Sequence, residues 1–76
     1  MIISRKPYLV IIEEFPGIGL VNVSVKWWQG NRLQTLPYDF AGLGEHGATL
    51  SSLAEAKQWA EKRLDKLCER PPNHDG

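Results

Sequence analysis

The stretch Trp27-Trp28-Gln29-Gly30-Asn31-Arg32-Leu33 decides the fold. Gly30-Asn31 stands between two apolar runs, where a two-residue hairpin loop needs a positive or flexible φ. Upstream, Leu20 to Trp28 alternates strictly, with Val21, Val23, Val25 and Trp27 on one side and Asn22, Ser24 and Lys26 on the other. That is the period of a strand with one buried face. With the loop fixed, Gln29 faces Arg32, Trp28 faces Leu33, Val25 faces Leu36, Val23 faces Tyr38 and Val21 faces Phe40. Opposed residues share a face, so the valines, Leu36, Tyr38 and Phe40 form one apolar surface and Trp28 with Leu33 lie on the other.

Working outward, Tyr8-Leu9-Val10-Ile11-Ile12 reads as a further strand, broken by Phe15-Pro16-Gly17-Ile18-Gly19. A four-residue turn, Pro16 to Gly19, places Tyr8, Val10 and Ile12 on the apolar surface and Leu9 and Ile11 on the reverse. The third strand, Arg32 to about Phe40, carries Pro37, which cannot donate to a ladder and so belongs on an edge. Ala41 to Leu50 is rich in glycine, lacks periodicity and reads as a long connector.

Ser52-Leu53-Ala54-Glu55 matches a capping box. Leu53, Ala56, Ala60, Leu64 and Leu67 follow at helical spacing, with Trp59 and Cys68 flanking the stripe. Pro71 predicts a helix end near Glu69. The expected fold is α+β: a three-stranded antiparallel meander with one C-terminal helix packed on one face. Residues 1–70 form a single domain and 71–76 a flexible tail. The helix covers only one side of such a sheet. The Tyr8–Ile12 strand is then a long apolar edge, to be covered by its own N-terminal segment, a second copy or a partner.

At 76 residues with one cysteine, the chain has a small core and no internal staple, so self-association or a partner is expected. Nine Lys and Arg balance nine Asp and Glu, which leaves no electrostatic footprint for nucleic acid or an anionic membrane. Basic Lys57, Lys62, Arg63, Lys66 and Arg70 interleave with Glu55, Glu61, Asp65 and Glu69, the pattern of a solvated helix face. Arg5 and Lys6 precede an apolar run too short for a signal peptide, and the lone Cys68 points to the cytoplasm.

Gly42-Leu43-Gly44-Glu45-His46-Gly47 spells G-x-G-x-x-G, yet the helix cap comes five residues after Gly47 and the flanking strands are antiparallel. A dinucleotide site needs the helix to begin within the glycines of a parallel βαβ unit, so no cofactor is expected. His46, His74 and Cys68 lack the paired spacing of a metal site. His46 beside Glu45 has no nucleophile near it in sequence, and Glu13 and Glu14 point to opposite faces of a strand. No catalytic residue is assigned.

What remains is the outer face: Trp28 and Leu33, joined by Leu9 and Ile11 and framed by Lys26 and Arg32. Aromatic and aliphatic groups beside arginine have the composition of an interface hot spot. In size and outline the chain resembles small accessory proteins of bacteria, phages and mobile elements, some of which occlude a surface of a larger complex. The expectation is a non-enzymatic module that binds a protein through these residues, or a homodimer through the same face or the Tyr8–Ile12 edge. The alternative is a nucleic-acid-binding accessory protein using sheet aromatics and helix basic residues.

Overall fold

A computed structural model describes residues 1–68; the tail expected at 71–76 lies outside them. Five strands precede one helix: β1 (Ile2–Arg5), β2 (Tyr8–Phe15), β3 (Leu20–Gln29), β4 (Arg32–Thr35), β5 (Gly47–Leu50) and α1 (Leu53–Cys68). A single 3₁₀ turn, Phe40–Gly42, lies between β4 and β5. All pairings are antiparallel, in the order β1-β2-β3-β4, with β5 also on β3. The architecture is the expected α+β sheet with one C-terminal helix, but with two more strands.

The hairpin stands as read from its turn. Gln29 pairs with Arg32 and Trp28 with Leu33. Gly30 has φ +66°, and the absence of a positive φ at Asn31 matches a type II′ turn. The β2–β3 register also agrees, with Phe15 opposite Leu20 across the four-residue turn and Val10 opposite Val25.

Two expectations fail. The third strand stops at Thr35 instead of running to Phe40, because Pro37 removes a ladder donor and the chain leaves the sheet there. The vacated flank of β3 is taken by β5, so Val23 pairs with Ala48 where Tyr38 was expected, and Val21 with Leu50 where Phe40 was expected. Each replacement sits ten positions further along the chain. Asp39, expected opposite Asn22, lies in the excursion between β4 and β5, and Thr49 has its place.

The second is the strand count, through β1. Ile2 to Arg5, not expected as a strand, pairs with β2 through a two-residue Lys6-Pro7 turn, so the edge at Tyr8–Ile12 is covered by the chain's own N-terminal segment, one of the three covers expected for it. That edge is therefore closed to a second copy. β2 becomes an interior strand, and Leu9, between Ser4 and Lys26, is only 4% exposed.

The core lies between the sheet and α1. Ala56, Ala60, Leu64 and Leu67 meet Val10, Ile12, Val21, Val23, Val25 and Leu36. The helix starts as its sequence predicts, with the Glu55 N–H donating to the Ser52 hydroxyl at 3.1 Å. The reciprocal half of the capping box shifts by one residue. Glu55 Oε1 accepts from the N–H and hydroxyl of Ser51, not from Ser52. At the other end, Arg5 reaches from β1 to Asp65 and, at 2.6 Å, to Glu61, tying the edge strand to the helix. The hydrogen bond from Asp65 raises the Arg5 pKa, but both pairs are solvent-exposed and contribute little stability. Among the described residues no helix is long and apolar enough to cross a membrane.

Candidate interaction face

Because β2 and β3 alternate strictly, the residues opposite the helix can be ordered along β3. Trp28 and Leu33 form a cross-strand pair at one end, and Phe15 and Leu20 form another at the far end. Between them Lys26 stands beside Leu9 and Thr35, Ser24 beside Ile11 and Gly47, and Asn22 beside Glu13 and Thr49. Among the described residues no helix lies on this side. Its terminal pairs stay open, with Trp28 40%, Leu33 43%, Phe15 46% and Leu20 38% exposed.

Of the six residues expected here, the sheet brings Trp28, Leu33, Lys26, Leu9 and Ile11 to one face. Leu9 is a correction: it has the predicted orientation but is buried, so it supports the surface without offering area to a partner. Ile11 is half-buried, and Ile2 of β1, its cross-strand neighbour, is exposed beside it. Arg32 is exposed but pairs with Gln29 next to the turn, one step out of phase with Trp28 and Leu33, and so frames the patch from the other side of the pleat. Lys26 donates from Nζ to Thr35 Oγ1 at 3.0 Å, which holds its ammonium over the face.

Phe15, Leu20 and Ile2 were missed. Phe15 and Leu20 flank the Pro16–Gly19 turn, and the register that paired Trp28 with Leu33 already places them together on the same face. A depression bordered by Lys6, Pro7, Trp28, Gly30 and Asn31 adjoins the Trp28 end, where the Trp28 N–H donates to the Pro7 carbonyl at 2.8 Å.

The helix side shows a different arrangement. The charges on α1 sort only in part, since Lys57 and Lys62 border one depression together with Glu61. Glu61 and Asp65 engage Arg5, while Lys62 and Lys66 line a depression with Trp59, Arg63, Gly42 and Leu43. The Arg63 guanidinium lies 4.6 Å from the Trp59 ring centroid and donates to the Glu45 carbonyl at 2.9 Å. These basic groups lie on the side of the sheet opposite Trp28 and Leu33, beside Trp59. Trp27 is on the helix side, packed against the core at its open end with Tyr8, Leu36, Pro37 and Phe40 around it.

The glycine motif is accounted for by local bonding. The Gly44 N–H donates to Asp39 Oδ1 at 2.9 Å and the Asp39 N–H returns a bond to the Gly44 carbonyl at 2.9 Å. A carboxylate thus holds the amide that a pyrophosphate would need. Positive φ at Asp39, Ala41, Gly42 and Gly44 curls this loop, and only the glycines adopt that conformation freely.

His46 is locked in place. Its Nδ1 lies 3.2 Å from Arg63 Nη1, so with Arg63 donating, Nδ1 accepts and the proton is on Nε2. Nε2 is buried without a hydrogen-bond partner. Burial, then the charge of Arg63, lowers the His46 pKa below its ordinary 6.5, outweighing Pro37 and Asp39. The unfolded chain therefore takes up the proton first on acidification. Stability linked to His46 is complete above about pH 6.5 and falls as pH drops towards the folded pKa. Thermal melts from about pH 7.5 to about pH 5.5 should fall more steeply for the wild type than for His46→Gln. Parallel slopes would remove His46 as the titrating group.

Among the described residues no group of His, Cys, Asp and Glu could hold a metal ion. Cys68, the last residue of α1 and flanking its apolar stripe as expected, is exposed, with its thiol 3.9 Å from the Arg5 carbonyl. The chain matches no protein-family model, and no curated protein or solved structure shows significant similarity to it.

Proposed function

We propose that this chain is a non-enzymatic protein-binding module of the adaptor or inhibitor type, acting in the cytoplasm by covering a surface of a larger protein with its helix-free sheet face. The observation that carries the reading is the pair of exposed apolar couples, Trp28 with Leu33 and Phe15 with Leu20, at the two ends of one face. Scattered exposed apolar residues need no explanation, but couples aligned on one flat layer are the composition of a binding surface. Trp28 supplies a large rigid ring, and Lys26 supplies a donor on the same face. A free, exposed thiol at Cys68 fits a reducing compartment.

The test is affinity capture with wild type, Trp28→Ser/Leu33→Ser and Phe15→Ser/Leu20→Ser baits, each shown to be folded by circular dichroism. A stoichiometric protein retained by the wild type and lost from both variants is expected. A partner captured equally by all three baits would move the binding surface elsewhere.

A further inference from the structure

We infer that the helix-free face also closes on a second copy of the chain, as an antiparallel face-to-face dimer. The inference rests on the reading of this face as a protein-binding surface and names one occupant for it. Along β3 the outward positions are Leu20, Asn22, Ser24, Lys26 and Trp28, and Ser24 is the middle of the five. The apolar couples lie at equal steps on either side of it, Phe15 and Leu20 at one end and Trp28 and Leu33 at the other. Only two charged residues occur among the paired residues of this face, Lys26 and Glu13. They too are balanced about the centre. Lys26 is one outward step from Ser24 towards Trp28, and Glu13, beside Asn22, is one outward step towards Leu20.

A two-fold axis lying across the strands at Ser24 brings the β3 members of the apolar couples together, while Phe15 on the β2 flank and Leu33 on the β4 flank stay apart. It lays Trp28 of one copy on Leu20 of the other, and Lys26 on Asn22 with Glu13 one strand to the side. Sheets in face-to-face packing are about 10 Å apart and neighbouring strands about 4.8 Å, so Lys26 meets the other copy's Glu13 by exchanging its bond to Thr35 for the carboxylate. The other two-fold arrangement, with the axis along the strands, puts the Glu13 rows of the two copies together and likewise the Lys26 rows. Like charges then oppose each other, and the charges select the antiparallel pair. Ser24 and Gly47, small residues in the central row, let the layers approach there.

The area is sufficient for a weak dimer. A face about 30 Å along β3 and about 17 Å across four strands covers roughly 500 Å² per copy, or about 1,000 Å² in total, the lower bound for a specific interface. An association in the micromolar range is expected, not a permanent dimer.

Sedimentation equilibrium of the full chain from about 1 µM to about 1 mM tests this, a range that brackets the expected dissociation constant. The wild type should approach twice the monomer mass as concentration rises. Glu13→Lys and Lys26→Glu should each weaken association by about tenfold or more, since each reverses a charge at two symmetric contacts, and the double exchange should restore it to within about threefold. A wild type that stays monomeric throughout, or single effects that add in the double variant instead of cancelling, would overturn the inference. The proposed function fails separately. A monomeric chain whose captured partner still depends on Trp28 and Leu33 sinks only the dimer, and a charge-exchangeable dimer that captures no other protein sinks only the larger partner.

Discussion

Replacing Leu64 with alanine should leave most of the chain unfolded at 25 °C. Leu64 is fully buried at the centre of the helix face, against the valines of β3 and the Val10 and Ile12 side chains of β2. Removing a buried leucine side chain costs about 2–5 kcal/mol, through the lost transfer energy and the cavity that remains. A core of this size rarely supplies more than about 3–5 kcal/mol in total, so a single cavity consumes most or all of it. Urea titration followed by far-ultraviolet circular dichroism should show a midpoint near zero denaturant for Leu64→Ala. A midpoint within about 0.5 M of the wild type, a loss of only about 0.5 kcal/mol at the urea sensitivity of a small domain, would contradict the packing described.

The second large effect comes from adding volume. Ala56 and Ala60 are fully buried on the same helix face, and their small side chains let α1 sit close to the sheet. Ala60→Leu must either displace the helix or force its neighbours off their rotamers, at a cost of about 1–3 kcal/mol. Ala54 is exposed on the same helix, so Ala54→Leu makes the same chemical change in solvent and should stay within about 0.5 kcal/mol of the wild type. Equal effects at the two positions would mean that the helix does not approach the sheet through its alanines.

The parts of the fold readable in the sequence are those whose signals are periodic or stereochemical. β3 declares itself by the seven alternating residues from Val21 to Trp27, the hairpin by Gly30, and the helix by its serine cap and apolar stripe. One register relation then fixes the face of Trp28 and Leu33, and it would have fixed that of Phe15 and Leu20 as well. The missed elements are four residues long. Ile2 to Arg5 is too short to show a period, and Gly47-Ala48-Thr49-Leu50 contains one β-branched residue and a glycine. Both form because a long strand beside them has an unpaired edge, which is a tertiary cause. The burial of Leu9 has the same origin, since its orientation is local but its cover is the neighbouring β1.

Helical spacing already sets Glu61 and Asp65 on one face, but their partner could not be read from the helix, because the place of Arg5 beside it depends on the unforeseen β1. The loop from Pro37 to His46 was equally opaque. Its shape is set by the Asp39–Gly44 exchange of hydrogen bonds and by Arg63, contacts that no spacing rule encodes.

The substitution of β5 for the outer half of an expected strand has a consequence for how this architecture can change in length. One lane beside β3 is filled by two segments, and the eleven residues from Leu36 to His46 leave the lane after Thr35 and return to it at Gly47. Insertions at the exposed Tyr38 can therefore enlarge the protein without shifting either ladder, which makes this bend the natural graft point for a foreign epitope or an added recognition loop. The lane itself is far less forgiving. A single residue gained or lost within β4 or β5 would turn every side chain beyond it to the opposite side of the sheet.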